Sequence, residues 1–478
     1  MNTGAFLPTI AYAVKARLEQ RKIDIPPDTM QRLATCAALP LNALTALQSA
    51  NGGVKIIAEI KRASPSKGAL RQELDPAETA TGYADAGAAM ISVLTEEEYF
   101  KGSLNDLRAV KNAVQLTPVL RKDFIFDEYQ IYEARAAGAD SCLLIAALLD
   151  DAMLRRLLLL SRSLGMEPLV EVHSEEEAQR AIRAGAVIVG VNARDLRTFE
   201  VDTSLLNRIL PALTHAKVIV AESGIASGAD LARMRRYGAS AVLIGEAFMR
   251  SEHPARALAD FARLPKLCQV APAGQVPFVK ICGVTNSVDA IFAAQCGVDA
   301  IGMIFAPSSR QIDAQTARAI TQKLPSSQMT IGVFAFETVS EICAIAEITG
   351  IQAIQLTGPA AKNLQCFADF HLPVLAAVHS EDEIAAALDL GCMPLLDSTT
   401  KDELGGTGRV GDWNAARELA WRYPLIVAGG LRADNVHEAV AMVQPWGVDV
   451  SSGVEHALGK KDHAAIQAFI ANAHGASI

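Results

Sequence analysis

The sequence predicts an α/β protein made of two (β/α)₈ barrels in tandem. Three observations carry this expectation. The chain has 478 residues, close to twice the roughly 250 that one such barrel needs. Half of its residues are hydrophobic while aromatics make up only 5%, so the cores must be built from Ala, Val, Ile and Leu, the residues of buried parallel strands and the helices that cover them. Short apolar, β-rich runs alternate throughout with stretches of helical periodicity, the βαβα order of a parallel sheet.

The strands can be taken in order. In the first half the candidates lie near 54–60, 90–94, 118–121, 141–145, 168–172, 187–191, 217–221 and 241–244; in the second they lie near 278–281, 300–304, 330–334, 353–356, 373–377, 393–396, 425–428 and 448–450. Each half thus supplies enough strands to close one barrel. Many units share an entry signature, as in YADAGAAM, ARAAGADSCLL and MRRYGASAVLIG. Gly87, Gly138, Gly185, Gly238 and Gly297 are expected to end helices in the left-handed conformation, which a residue without Cβ adopts at no steric cost. Residues 1–50 precede the first strand and read as helical, with Pro8 and Pro26 as breakers, an extension expected to pack on the first barrel. The segment 264–277 (LPKLCQVAPAGQVP) has no periodic pattern and is expected to link a domain over 1–263 to another over 278–478.

The formal charge of −9 is spread without basic blocks, which argues against a nucleic-acid partner. No run of 18 uncharged apolar residues is found, and the N-terminus lacks a basic start followed by an apolar stretch, so neither a membrane span nor a secretory leader is expected. The 8 cysteines form no CxxC pair and the 9 histidines no HExxH spacing, which points to a reducing compartment, no disulfide framework and no metal. The expectation is a cytoplasmic protein, monomeric in the simplest case, that acts on small phosphorylated molecules without a cofactor.

In such barrels the reacting groups sit at the C-terminal ends of strands, because charge elsewhere on a strand would be buried at a cost. In the first half these ends carry Glu59 and Lys61, Lys122 and Asp123, Glu171, Asn192, and Glu222 with Ser223. Glu59 and Lys61 are two apart on an extended strand and therefore face the same side. Within this mixed-charge cluster a lysine stays protonated and can serve as an acid, while a carboxylate can act as a base. The second half offers Lys280 and Cys282, again two apart, and Asp397. A thiol near a lysine is expected to have a lowered pKa and to act as a base, with the carboxyl as acid. Glycines follow the seventh and eighth strands of both halves: Gly224 and Gly245 in the first, Gly429, Gly430 and Gly453 with Ser452 in the second. Amides freed by glycine in these loops are the usual phosphate site of the fold.

At these residues the first half resembles the indole-3-glycerol phosphate synthases, through IIAEIKRASPSKG, VLRKDFI, PLVEVH, VGVNARDL, VIVAESGI and VLIGEAF. The second half resembles the phosphoribosylanthranilate isomerases, through VKICGVTN, GMIFAPSSRQID, IQLTG, PLLDS, GGTGRVGDW, VAGGL and VDVSSGVEHALGKKDH. The resemblance implies two consecutive steps of tryptophan biosynthesis. In the first half it makes Lys122 the acid that activates the substrate carbonyl, Glu171 the base of the dehydration, and Lys61 the group facing the departing carboxylate and hydroxyl. Glu59, Asn192, Arg194, Glu222 and Ser223 then orient the substrate, with Ser64, Gly224 and Gly245 at the phosphate. In the second half it implies Asp397 as acid, Cys282 as base, Arg310 at the anthranilate carboxylate, Lys280 and Asp449 near the site, and Gly430, Ser452 and Gly453 at the phosphate. One departure stands out: where the family has QLHG, this chain has Thr357 in place of the histidine. The competing readings are histidine-pathway isomerases, whose aspartates at the first and fifth strands are missing here, and a barrel that has lost activity and persists as a binding or scaffolding module.

Overall fold

The computed structural model describes residues 6–48, 53–65, 68–71, 73–195, 200–262, 264–271, 277–368, 370–397 and 412–475. They fall into two compact units, Met1–Ala226 with Tyr237–Ala262, and Ser227–Arg236 with Arg263–Ile478. The first barrel consists of β1 (Lys55–Ile60), β2 (Met90–Leu94), β3 (Val119–Lys122), β4 (Ser141–Ile145), β5 (Leu169–Val172), β6 (Ile188–Asn192), β7 (Val218–Glu222) and β8 (Ala241–Ile244), all parallel and closed by pairing β1 with β8. The second consists of β9 (Phe278–Ile281), β10 (Ala300–Ile304), β11 (Met329–Phe334), β12 (Ala353–Leu356), β13 (Val374–Val378), β14 (Met393–Asp397), β15 (Ile426–Ala428) and β16 (Gly447–Val450), closed by pairing β9 with β16. Every strand expected from the sequence is present.

Several strands run one residue further than hydrophobicity alone indicates. β3, β6 and β7 include Lys122, Asn192 and Glu222, because the ladder continues through Leu94 beside Lys122 and Asn192 beside Glu222. These three side chains are therefore fixed by strand geometry and do not hang from loops.

Alternation decides which side chains face inward. In the first barrel Ile57, Met90, Leu120, Leu143, Leu169, Ile188, Val220 and Leu243 form one buried interior cluster, and Glu59, Lys122, Glu171, Asn192 and Glu222 share their parity nearer the strand ends. In the second barrel Val279, Ile281, Ile301, Met303, Ile354, Leu356, Val427 and Val448 pack outward against the helices. The opposite parity, including Lys280, Cys282, Gly302, Gln355, Asp397 and Asp449, is left to the interior. Helices enter on side-chain caps, such as Asp75, Ser103 and Ser174 accepting amides of the first turn. The glycines expected at helix ends have φ between 84° and 96° at Gly87, Gly138, Gly185, Gly238 and Gly297.

The N-terminal extension is three helices, α1 (Phe6–Asp24), α2 (Pro27–Cys36) and α3 (Ala43–Leu47). Pro8 does not break α1 but lies in its first turn, where a missing N–H has no helical partner to lose. Pro26 does separate α1 from α2. Ile10 and Val14 of α1 and Ala43 and Leu47 of α3 join the barrel's interior cluster. Arg17 meets Glu96 at 3.1 Å and Lys22 meets Asp127 at 2.8 Å, tying α1 to the loops that follow β2 and β3. The Tyr129 hydroxyl donates to the carbonyls of Arg21 and Ile25 at 3.0 and 2.9 Å.

Features without a hydrophobic signature escaped sequence reading. A two-residue hairpin pairs Ala63–Ser64 with Gly68–Ala69, and another pairs Glu455–Ala457 with Lys460–Lys461. Within the unpatterned segment 264–277, Lys266–Val270 forms a short helix with Leu267 and Cys268 buried, and Lys266 donates to the carbonyls of Gly391 and Phe370. No helix among the described residues is long and apolar enough to cross a membrane.

Because the extension supplies core side chains, Ile10→Ala and Leu47→Ala should each destabilise the first barrel by about 2–4 kcal/mol, the cost of a buried large-to-small change. A urea titration measures this, and losses below roughly 0.5 kcal/mol, the scale of a surface substitution, would show that the extension lies on the barrel without entering its core.

Candidate active sites

The first barrel's mouth is a cavity of about 590 Å³ that divides by chemistry. Leu94, Phe100, Phe124, Leu143, Ile145, Val201, Ile225 and Leu243 form an apolar wall, while Glu59, Lys61, Lys122, Glu171, Asn192, Arg194 and Glu222 supply the polar floor and rim. Such a cavity suits a ligand with one flat apolar end and one anionic end. The sequence reading found the polar half and missed the wall, since apolar residues at strand ends look like any other core positions.

At its centre Lys122 Nζ lies 3.1 Å from Glu171 Oε2 and 2.8 Å from Glu222 Oε2. Burial opposes the charge on Lys122, but the fields of Glu171, Glu222 and Glu59 outweigh it and hold the ammonium well above the ordinary lysine range. The two carboxylates do not behave alike. For Glu171 burial favours the neutral form, yet Lys122 and His173 together push it well below the usual carboxylate range. For Glu222 burial and the neighbouring Glu171 win over Lys122 and raise it. Glu222 Oε1 is buried with no hydrogen-bond partner among the described residues, and a Cβ at Gly190 would collide with that oxygen. Gly190 is thus the seat that lets a carboxylate lie across the barrel interior. Gly245 does the same for Glu59, whose Oε1 pairs with Lys61 Nζ at 2.6 Å.

Asn192 Oδ1 accepts the Arg194 amide at 3.0 Å and shapes the loop after β6, and Arg194 lies 3.4 Å from Glu246. Ser64, Ser223, Gly224 and Gly245 all line the cavity. Ser223 and Gly224 have φ of 65° and 74°, and a left-handed serine is uncommon enough to mark a backbone held for a purpose.

In the second barrel Lys280 Nζ is fully buried and bonds Asp449 Oδ1 at 2.9 Å. Gly302 of the adjacent strand makes room for the pair of residues two apart: a Cβ there would stand 2.9 Å from Cys282 Sγ and 3.1 Å from Lys280 Nζ. The expected depression of the Cys282 pKa is overturned. Burial raises it, and although Lys280 and Lys461 work in the other direction, Asp449 neutralises the nearer lysine and adds its own repulsion. A cation already paired with a carboxylate stabilises a second anion poorly.

Arg310 is not waiting for a ligand with its whole guanidinium. Nε and Nη2 make a bidentate pair with Glu455 at 2.8 and 2.9 Å, and Glu455 also takes Lys461 at 3.0 Å. Glu455 and Lys461 come from the short hairpin and were not singled out from the sequence. Gly429 and Gly430 have φ of 90° and 64°, and Gly453 abuts the Leu431 carbonyl so closely that any Cβ would strike it. The loops after β15 and β16 are thereby pressed together beside Ser452. Asp397 ends β14 at the start of 398–411, so the quoted GGTGRVG stretch lies outside the described residues. Thr357, in the place of the family's histidine, precedes the short helix Gly358–Ala361 without capping it by its side chain.

The family model for indole-3-glycerol phosphate synthase matches residues 7–261, and the model for N-(5'-phosphoribosyl)anthranilate isomerase matches 279–472. The indole-3-glycerol phosphate synthase of Mycolicibacterium smegmatis is 51% identical over 54% of this chain and 94% of its own. The multifunctional tryptophan biosynthesis proteins of Phycomyces blakesleeanus and Schizosaccharomyces pombe are 37% and 38% identical, each over 87% of this chain. The chain spans about three fifths of the length of these two relatives, 62% and 59%. The chain therefore belongs to the indole-3-glycerol phosphate synthase family, followed in the same polypeptide by a barrel that matches the phosphoribosylanthranilate isomerase family.

Proposed function

We propose that the second barrel isomerises N-(5-phosphoribosyl)anthranilate to 1-(2-carboxyphenylamino)-1-deoxyribulose 5-phosphate, and that the first barrel converts this ketose to indole-3-glycerol phosphate with release of CO₂ and water. The observation that carries the reading is Lys122 held between Glu171 and Glu222 beneath an apolar wall. Ring closure, decarboxylation and dehydration need an acid and a base close together and no redox partner.

In the first barrel the aromatic ring of the substrate rests on the apolar wall and its phosphate in the loops of Ser64, Gly224 and Gly245. Lys122 donates to the ketone oxygen as ring carbon attacks the ketone carbon. Drawing the ammonium off its carboxylates lowers its hold on the proton as the alkoxide forms. Lys61, paired with Glu59, faces the leaving carboxylate and then the leaving hydroxyl, and Glu171 accepts the proton lost as water departs. Asn192, Arg194, Glu222 and Ser223 orient the chain between these points.

In the second barrel Asp397 protonates the ribose ring oxygen to open it, and Cys282 removes the C2 proton, giving the enol that becomes the ketose. Lys280 with Asp449 sets the charge around the thiol. Arg310 offers the substrate carboxylate its Nη1–Nη2 edge, the Nε edge being held by Glu455. Gly430, Ser452 and Gly453 receive the phosphate.

Two outcomes follow. Cys282→Ala should lower isomerisation by about 10²-fold or more while leaving ring closure within about twofold, and Lys122→Ala should do the reverse, the usual scale for losing an acid or base; coupled assays on each purified substrate separate the two, and loss of both activities in one folded variant would refute separate sites. The raised Cys282 pKa fixes the sign of a pH dependence. The base is active as thiolate, the folded thiol holds its proton more tightly than the ordinary value of 9.0, and so kcat/KM for isomerisation should climb with pH across the neutral range and still be rising at that ordinary value. A plateau near neutrality would mean that another group takes the proton.

A further inference from the structure

One titratable side chain near the first barrel's centre has no place in the scheme above. His173 follows β5 two residues after Glu171, so its side chain projects on the same side. Its Nε2 lies 3.3 Å from Glu171 Oε1, and its Nδ1 lies 3.5 Å from Glu177 Oε2. Glu177 is fixed in turn. It sits in the first turn of the helix Glu175–Ala184, its amide bonded to the Ser174 cap at 3.2 Å, and its Oε2 accepts the His173 backbone N–H at 2.8 Å. The His173 side chain is only 13% exposed. These groups form a row, Glu177, His173, Glu171, Lys122 and Glu222, in which carboxyl groups alternate with basic side chains and the two oxygens of Glu171 are divided between His173 and Lys122.

We propose that His173 is a positioning residue for the dehydration base: as an imidazolium clamped by Glu177, it holds Glu171 ionised and aims its free oxygen while Lys122 is engaged with substrate. The inference rests on the functional reading given above. Its physical basis is the desolvation cost of a buried carboxylate, which needs a nearby cation to stay charged. Lys122 cannot be that cation throughout the cycle, since the acid step draws it toward the ketone oxygen. His173 is not consumed by the chemistry and can remain. Beyond its two carboxylates, the charged groups behind it are Lys122 next to Glu171 and Arg180, whose charge acts on Glu177. Burial disfavours the imidazolium, but Glu171 and Glu177 outweigh it and push the pKa up to about 10.

The test uses the full chain and three substitutions. In His173→Gln the loss should fall on kcat of ring closure, at least ~10-fold, with KM within about twofold and the acid limb of the kcat profile moved upward by about one pH unit, because Glu171 then binds its proton more tightly. His173→Asn should behave alike. In Glu177→Gln the backbone contact survives but the charge does not, so the His173 pKa should fall toward the ordinary imidazole range and a new ionisation should enter the kcat profile between about pH 6 and 8. A urea titration of each variant that matches the unmodified chain, together with a KM for ring closure within about twofold, shows that the first barrel is folded. Nitrogen chemical shifts of His173, assigned by its loss in the variant, should show a doubly protonated ring at pH 8. A neutral ring at that pH, or a His173→Gln enzyme with unchanged kcat and acid limb, would overturn the proposal. Failure of the unmodified chain to close the indole ring would instead overturn the functional reading itself.

Discussion

A buried ammonium shared by two carboxylates governs the first barrel. Lys122, Glu171 and Glu222 lie where water is scarce, and each alone would be expelled or neutralised, since an unpaired charge in a low-dielectric interior costs several kcal/mol. Together they are tolerated only because closure of the barrel fixes all three on converging strands with inward parity. The arrangement also breaks the symmetry of its own components. Both carboxylates face the one lysine, but His173 stands beside Glu171 alone, so Glu171 is driven down while burial next to Glu171 pushes Glu222 up. Gly190 and Gly245 belong to the same constraint: they are empty positions in the interior layer that give the carboxylates of Glu222 and Glu59 somewhere to lie.

The second barrel uses the same scaffold differently. Here the central lysine is paired with one carboxylate, Asp449, and a thiol stands next to it in place of a second acid. Neutral overall, the Lys280–Asp449 pair leaves Cys282 in an environment that favours the thiol. Such a thiol is protected from oxidation and alkylation, since the thiolate is the reactive species; in the role proposed for it as a base, it depends on the substrate to supply the remaining field. An anionic phosphate would oppose that deprotonation, which places weight on Lys461 and Arg310 as the cations that face the thiol from the rim.

The fold was legible in the sequence because parallel barrels leave a strong trace: sixteen apolar runs, a glycine before many of them, and punctuation at the helix ends. The polar half of the first site was legible for the same reason, since a charged residue ending a buried strand has few structural explanations. What sequence patterning could not show was pairing. Nothing in the sequence says that Arg310 is already bonded to Glu455, because residues 145 apart meet through a hairpin too short to carry periodicity. Nor could proximity in sequence give the sign of the Cys282 shift, which depends on Asp449 reaching Lys280 from the far end of the domain. Phe100 and Phe124 were invisible as cavity-lining residues because their composition is that of core.

The extension shows how stability and site are joined. The apolar interior of the barrel runs up to its reaction centre, and the extension adds Ile10, Val14, Ala43 and Leu47 to it, with α1 held beside the loops that follow β2 and β3. That cluster lowers the dielectric around Lys122: were water to enter it, Glu171 and Glu222 would move back toward ordinary carboxylates and the difference between them would shrink. The helices before the first strand therefore act on the chemistry through exclusion of solvent, even where they touch none of the reacting groups. The ion pairs of Arg17 and Lys22 with the rim contribute little energy as partly exposed contacts; their consequence is to keep α1 in register so that the apolar residues stay where the barrel needs them.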